Sequence, residues 1–285
     1  MDNVNKNNKE LLLKLREYLE NDPCMITQDL INDVKKSGVS TEYAYATLLS
    51  SFLELDDNFL DQYILAMLRK EDPNTYINNL FYQKMDYKAK LKEGKLELDY
   101  TYIEPYQLFM QDEVDKFIDG KLLPQIGFFD DDLKCLSIIR DDETLYSYNP
   151  LLVNASIVPL DEAKGKICCM GLGIGYFPYM AHLKEDVKSI VIYEKNKDLI
   201  KLFNNHLFKR FKYKDKIKVV EGDPLIILKS KSTKLNADYV YINCWNDLGE
   251  ALKLYPKFKA LEKNFPRNKF HYYLEQSIKL YPKDE

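Results

Sequence analysis

The stretch Cys168 to Met180 reads CCMGLGIGYFPYM and places Gly171, Gly173 and Gly175 at alternate positions directly after an apolar run. Glycine lacks a Cβ atom, so it allows a sharp turn and a close approach of the backbone to a ligand. Where such a turn joins a strand to a helix, the free N–H groups of the helix start favour an anionic or polar ligand group. The three glycines therefore predict a site for a nucleoside-bearing cofactor.

Two carboxylates follow where further strands are expected to end. Glu194 closes the run SIVIYE, about 20 residues on, where a carboxylate can accept both hydroxyls of a ribose. Asp223 lies in EGDPLIIL at the end of the next run. A dinucleotide fingerprint, G-x-G-x-x-G, would need glycine where Tyr176 stands, so the pattern disfavours a nicotinamide cofactor.

Alternation of strand and helix patterns predicts how these residues are positioned. From residue 166 on, five short apolar or β-branched runs alternate with helix-compatible segments; the runs are KICCM, SIVIYE, KIKVVEGD, ADYVYIN and KFHYYLE. Such alternation implies right-handed crossovers and a parallel sheet covered on both faces. We predict an α/β fold with a Rossmann-like, doubly wound, mostly parallel sheet of about five strands.

The first half of the chain has a different periodicity. Apolar residues recur at three- and four-residue spacings from Asn7 to about Met85, with Ser40 or Thr41 as a helix N-cap, and EPYQLFMQDEVDKFI predicts one more helix. CLSIIRDDETLYSY, residues 135–148, predicts a β-hairpin around an acidic pair. We expect a helical N-terminal domain over 1–125, a hairpin and connector over 126–165, and a Rossmann-like domain over 166–285.

Composition restricts the class of protein. The 285 residues are 46% hydrophobic and 30% charged, as in folded globular proteins. No apolar run approaches the ~20 residues that span a bilayer, and the N-terminus lacks the pattern of a secretory signal. We therefore expect a cytoplasmic location and no membrane partner. The five cysteines form no C-x-x-C pair and the three histidines have no ligand spacing, so no metal site is expected.

The net charge of −4 conceals an asymmetry. Residues 166–285 carry 23 Lys and Arg against 14 Asp and Glu, which leaves 18 against 31 in residues 1–165. The basic runs KRFKYKDKIK (209–218) and KSKSTK (229–234) precede the third and fourth strands, opposite the edge where a cofactor would bind. We expect a solvated face, or contact with the acidic half or a second subunit as in a homodimer, rather than nucleic acid as a partner.

The motifs GLGIG, Glu194 and EGDPLIIL together resemble the class I S-adenosylmethionine-dependent methyltransferase superfamily, and most of all its spermidine-synthase-like branch. That branch also carries a short β-hairpin ahead of the nucleotide-binding domain. The resemblance covers about residues 135–275 and implies S-adenosylmethionine, or its decarboxylated form, as cofactor. It places Gly171, Gly173 and Gly175 around the methionine moiety and Glu194 on the ribose.

The resemblance also assigns residues at the next two strand ends. It puts Asp223 on the adenine amino group and Pro224 and Leu225 beside the ring. Asn243, at the end of the fourth strand, is a further candidate cofactor-binding residue. Spermidine synthases end the fourth strand with an aspartate and carry another three residues later, whereas YINCWND has Asn243 and Asn246 at these positions. Because asparagine cannot act as a base, aminopropyl transfer is disfavoured.

Further polar and aromatic residues are expected on the substrate side. Tyr176, Trp245 and Asn246 are candidate substrate-binding residues, and Asp247 is either a catalytic group or the N-cap of the following helix. With Phe177, Glu250 and Glu275 they would form an acidic, aromatic rim suited to a cationic amine.

The sequence leaves three functions open. The first is a methyltransferase of a small amine or other small molecule. The alternatives are a spermidine-synthase-like aminopropyltransferase, and a non-catalytic nucleoside-binding or scaffold protein with a degenerate methyltransferase fold.

Overall fold

The computed structural model describes residues 2–116, 122–230 and 235–281, with side chains from residue 9 onward except at 57, 115, 116 and 122. The α-helices are α1 Asp2–Asn21, α2 Gln28–Lys35, α3 Thr41–Phe52, α4 Asp57–Phe59, α5 Leu65–Met67, α6 Asn74–Ile77, α7 Leu80–Lys84, α8 Pro150–Glu162, α9 Tyr176–His182, α10 Lys197–Leu202, α11 Pro224–Lys229, α12 Leu248–Lys259 and α13 Glu275–Leu280. Short π-helical turns at Leu60–Ile64 and Phe203–Leu207 extend α4 and α10.

The strands form three sheets. They are β1 Leu68–Lys70, β2 Leu91–Glu93, β3 Leu96–Ile103, β4 Phe109–Lys116, β5 Leu122–Phe128, β6 Leu133–Arg140, β7 Glu143–Ser147, β8 Gly165–Met170, β9 Val187–Glu194, β10 Ile217–Glu221, β11 Tyr239–Ile242 and β12 Lys269–Tyr272. The chain divides into two units. The first comprises Met1–Thr75, Tyr102–Lys134 and Lys279–Glu285, and the second comprises Tyr76–Thr101 and Cys135–Ile278. The domain boundaries predicted at 125 and 165 stay predictions.

The first unit packs helices against a small sheet of order β1-β5-β4. Ser40 caps α3 by accepting from the N–H of Tyr43 at 3.1 Å, which confirms it as an N-cap. In the core, the ring of Tyr45 stacks on Phe128 with centroids 4.1 Å apart. Its hydroxyl donates to the carbonyl of Tyr106 at 2.9 Å, so this buried tyrosine has its polar atom satisfied.

The helix predicted over EPYQLFMQDEVDKFI is wrong, because Phe109–Lys116 is the strand β4. It pairs antiparallel with β5, and the register shifts between Gln111 and Val114. The shift interrupts the period-two alternation of a regular strand. Apolar residues on either side of it therefore recur at spacings that resemble a helix.

A four-stranded sheet of order β2-β3-β6-β7 belongs largely to the second unit. Its hairpin β6-β7 confirms the one predicted from CLSIIRDDETLYSY. Asp141 and Asp142 form the turn with φ of 51° and 65°, and aspartate is among the residues that tolerate this region. Strands β2 and β3 lie in the Lys-rich segment for which no strand was predicted.

The large sheet of the second unit has the order β10-β9-β8-β11-β12, and every pairing in it is parallel. Numbered within the sheet, this is 3-2-1-4-5, the doubly wound order with its switch point between the first and fourth strands. The predicted α/β, Rossmann-like fold with five strands is confirmed. Ligands bind such sheets outside the carboxyl ends of the strands at the switch point, here where β8 and β11 end.

The basic run at 209–218 lies at the amino end of β10, as predicted. Within it the Nζ of Lys216 donates to the carbonyls of His182 and Lys184, and the Arg210 guanidinium donates to the carbonyl of Asp86. The second run, KSKSTK, lies mostly outside the described residues. None of the described helices combines the length and the apolar character that crossing a membrane requires.

Candidate functional site

The turn after β8 is shaped by its three glycines. Gly171, Gly173 and Gly175 have φ of +92°, +56° and +83°, a region that side chains disfavour. A Cβ atom on Gly171 would lie 1.8 Å from the carbonyl oxygen of Asn243, and one on Gly173 would lie 2.8 Å from the Asn243 side-chain nitrogen. The bare backbone therefore lets the first turn pack directly against the loop after β11.

Glu194 ends β9 and holds the glycine turn from one side. It is 5% exposed, and its two carboxylate oxygens accept from the backbone N–H groups of Leu172 at 3.0 Å and Asn196 at 2.8 Å. Each oxygen has two lone pairs, so each can accept one further hydrogen bond. The carboxylate is thereby fixed in place with its remaining acceptors available to a ligand hydroxyl.

Asp223 follows β10 and begins helix α11. Its Oδ1 accepts from the N–H groups of Leu225 at 2.8 Å and Ile226 at 3.2 Å, and Pro224 occupies the first helical position. This is a regular N-cap. Among the described residues no donor binds Oδ2, which leaves that oxygen for a ligand.

These residues surround a cavity of about 110 Å³, which we call the Glu194 cavity. Its lining comprises Tyr146, Gly171, Glu194, Lys195, Asp223, Pro224, Leu225, Asn243, Cys244, Leu254 and Phe258. The structure thus brings together residues from the ends of four strands, Gly171, Glu194, Asp223 and Asn243, that were predicted to bind one cofactor.

A second cavity, of about 210 Å³, lies beside Gly173 and is called the Gly173 cavity. It is lined by Thr144, Leu145, Tyr146, Ser147, Asn149, Leu151, Leu152, Gly173, Ile174, Asn243, Trp245, Asn246 and Tyr273. Tyr146 and Asn243 line both cavities, so the two sites are neighbours. The expected acidic rim is absent here, because no Asp or Glu belongs to this lining.

The loop after β11 supplies Asn243 and Cys244. Asn243 is 8% exposed, and its N–H donates to the carbonyl of Met170 at 2.8 Å. The Cys244 thiol donates to the same carbonyl at 3.0 Å. Burial raises the pKa of this thiol well above its usual range, and Glu194 raises it further. Cys244 is therefore a neutral thiol and a poor nucleophile.

Two predicted substrate-binding aromatics lie in the core of the second unit. Trp245 is 1% exposed, and its indole N–H donates to the carbonyl of Tyr273 at 3.0 Å. Tyr176 is 3% exposed and accepts from the Asn79 amide at 3.1 Å. Trp245 contributes to the wall of the Gly173 cavity, whereas Tyr176 lines neither cavity because its ring packs against Phe81.

The last two predicted residues lie at the start of α12. Asn246 is exposed and lines the Gly173 cavity. Asp247 caps α12 by accepting from the N–H of Glu250 at 2.7 Å, and Glu250 in turn accepts from the N–H of Asn246 at 3.0 Å. The reciprocal bonds resemble a capping box. Asp247 lines neither cavity, and its observed contacts are those of an N-cap.

Tyr146, on the hairpin strand β7, is the main site residue that the sequence did not single out. It lines both cavities, and one of its ring carbons would lie 3.9 Å from a Cβ on Gly173. Burial raises the pKa of its phenol, and the nearby Glu194 carboxylate raises it further. The phenol is therefore neutral and able to donate a hydrogen bond at neutral pH. Its position two residues before the end of the predicted hairpin was the available signal.

No protein-family model matches the chain, and no curated protein matches its sequence. Among solved structures, the spermidine synthase from Thermotoga maritima is similar at 12% identity and a TM-score of 0.38, over 68% of this chain and 60% of that one. A spermidine synthase in complex with the transition-state analogue AdoDATO is similar at 13% identity and a TM-score of 0.39, over 67% and 60%.

A candidate O-methyltransferase from Klebsiella pneumoniae is similar at 19% identity and a TM-score of 0.27, over 36% of this chain and 46% of that one. The chain spans about 60% of the length of each of the two spermidine synthases. The strand order of the large parallel sheet is by itself that of a Rossmann-like, doubly wound fold, as predicted.

Proposed function

We propose that this protein is an S-adenosylmethionine-dependent transferase, most simply a methyltransferase of a small molecule. The observation that carries the proposal is the Glu194 cavity, where Gly171, Glu194 and Asp223 meet at the switch point of the sheet. A doubly wound fold alone would not support it, because such folds host many unrelated functions.

The cavity residues fit the nucleoside part of the cofactor. The free lone pairs of Glu194 suit two ribose hydroxyls, and the free Oδ2 of Asp223 suits an exocyclic amino group. Pro224 and Leu225 offer apolar surface to a flat base. When bound, S-adenosylmethionine supplies a methyl group on a positively charged sulfur.

The chain's own contribution is alignment rather than proton transfer. Tyr146 and Asn243 line both cavities, so they can orient an acceptor in the Gly173 cavity towards a nucleoside in the Glu194 cavity. In-line displacement depends mainly on such alignment. Neither side chain is a base at neutral pH, since Asn243 does not titrate and the pKa of Tyr146 is raised.

The loop after β11 also bears on the two alternative functions. Aminopropyl transfer from decarboxylated S-adenosylmethionine is disfavoured, because Asn243 and Asn246 border the Gly173 cavity where spermidine synthases have aspartates. A non-catalytic nucleoside-binding protein is favoured by one observation, the lack of any carboxylate in the lining of that cavity.

The test is calorimetric titration of the protein with S-adenosylhomocysteine, 5′-methylthioadenosine and NADH in parallel. We expect binding of at least one adenosyl thioether and none of NADH. Asp223→Asn should preserve the helix cap, because asparagine caps as well as aspartate, yet lower the affinity by about tenfold, since an amide nitrogen would face the amino group.

A matched control is available on the neighbouring strand. Glu221 pairs in register with Glu194 but is exposed, so Glu221→Gln should bind like the parent. Glu194→Gln should weaken binding by about tenfold or more, because it removes a charged acceptor. The proposal would be overturned if none of the three ligands bound, or if the Glu194→Gln and Glu221→Gln proteins bound the adenosyl ligands with equal affinity.

A further inference from the structure

The Gly173 cavity is lined without any ionised side chain. Its polar lining consists of hydroxyls and amides, among them Thr144, Ser147, Asn149, Asn243 and Asn246, and the lining contains no Asp, Glu, Lys, Arg or His. Its two phenols belong to Tyr146 and Tyr273. Since the pKa of Tyr146 is raised, that phenol is uncharged at neutral pH.

The two carboxylates that follow Asn246 in the chain are already engaged. Asp247 accepts from the N–H of Glu250, and Glu250 accepts from the N–H of Asn246, so both are held at the start of α12. Glu194 belongs to the Glu194 cavity and accepts from Leu172 and Asn196. A cation in the Gly173 cavity would therefore have no counter-charge in its lining.

Burying a charge without a partner is costly, whereas amides and hydroxyls satisfy an uncharged polar group. An ammonium also has no lone pair, so a cationic amine would have to lose a proton before it could accept a methyl group. No side chain of the lining is a base that could take that proton.

We propose that the Gly173 cavity binds an uncharged polar acceptor and that Asn243 and Asn246 exclude cationic amines. This inference refines the proposed function and depends on it, because only a transferase has an acceptor substrate. The substrate class is a small neutral molecule whose acceptor atom carries a free lone pair, such as an aromatic nitrogen, because such an atom gains a methyl group without losing a proton and takes over the positive charge of the donor. The acidic rim expected from the sequence does not form the binding surface.

The test uses three probes that share one aromatic ring and differ in the charge of the tail: tyrosol, which is neutral, tyramine, a cation, and 4-hydroxyphenylacetate, an anion. Each is titrated at pH 7 into the protein saturated with 5′-methylthioadenosine, which lacks the charged amino-acid tail of S-adenosylhomocysteine and so adds no ionised group beside the probe. We expect tyrosol to bind at least tenfold more tightly than either charged probe.

A variant that adds one negative charge to the lining tests whether the charge preference of the probes arises in this cavity. Asn246→Asp should reverse the preference towards tyramine, because it adds a carboxylate at an exposed position beside a helix N-terminus, where aspartate is well tolerated. Asn204→Asp is the control, since Asn204 is exposed on the same unit and lines neither cavity. It should keep the parent's preference for tyrosol.

The outcomes separate this inference from the proposed function. Tighter binding of tyramine by the parent, no binding of tyrosol, or the same change in both variants would overturn the uncharged-acceptor assignment even if the adenosyl ligands bind. Failure of every adenosyl ligand would overturn the transferase proposal. The probes, titrated without a nucleoside, would then still report the charge preference of the cavity.

Discussion

A Cβ atom placed on Gly171 would lie 1.8 Å from the carbonyl oxygen of Asn243, nearer than any real side chain can approach. The contact is with backbone, which cannot swing aside as a flexible side chain can. It joins the end of the first strand of the large sheet to the end of the fourth, across the switch point. Gly171 is thus required by packing as well as by any ligand.

Gly171→Ala should therefore destabilise the protein by about 3 kcal/mol or more, the sum of a disfavoured φ and a backbone clash. Gly38→Ala is the matched control, because Gly38 has a similar φ of +87° with nothing within 4 Å of its Cβ position. It should lose only about 1 kcal/mol. Urea unfolding of both variants measures the difference, and equal losses would contradict the packing argument.

Asp247→Ala should cost about 1 kcal/mol of stability, the usual effect of removing an N-cap. Asp247→Asn should cost almost nothing and should bind 5′-methylthioadenosine like the parent, because asparagine keeps the bond to the N–H of Glu250. Chemical denaturation and calorimetry test the two variants. A stable Asp247→Asn protein that has lost methyl transfer would instead make Asp247 catalytic.

Stability should fall as the pH is lowered through the titration of His182. Burial lowers the pKa of this histidine below its ordinary 6.5, and Lys216 lowers it further, against an opposing hydrogen bond to the Tyr179 carbonyl. The Nε2 atom accepts from the N–H of Lys212 at 3.0 Å, so the ring is neutral in the fold.

Because the folded pKa is depressed, the unfolded chain binds the proton more readily. The stabilising contribution is complete above pH 6.5 and is lost as the pH falls towards the folded value. Urea unfolding at several pH values between 7.5 and 5.5 should show this loss. His182→Gln keeps an acceptor for Lys212 but does not titrate, so its profile should be flatter. Parallel profiles would show that another group governs the dependence.

The sequence predicted the large sheet well, because each strand was a continuous apolar run bounded by helix signals. Glu194 and Asp223 were placed correctly at the strand ends for the same reason. The structure adds that both also bind backbone N–H groups. Such dual use follows from loop geometry, which residue spacing does not determine.

The wrong helix prediction concerns a segment whose strand partner lies elsewhere in the chain. Strand β4 pairs with β5 through an irregular register, and neither feature is encoded in the segment itself. Trp245 lines the Gly173 cavity, so its substrate-binding role stays a prediction, but residue spacing did not reveal that its indole N–H donates to Tyr273, which is distant in sequence. The neutral lining of the Gly173 cavity was missed because it depends on which side chains of β7 and the loop after β11 converge.

The first unit also imposes a delay during synthesis. Strand β1 pairs with β5, with Leu68 opposite Ile126, so the ribosome must add nearly sixty residues before the partner strand exists. At roughly 5–20 residues per second, β1 has no partner for several seconds. Its short length limits the hazard, because brief strands with charged residues such as Arg69 and Lys70 offer little template for misassociation.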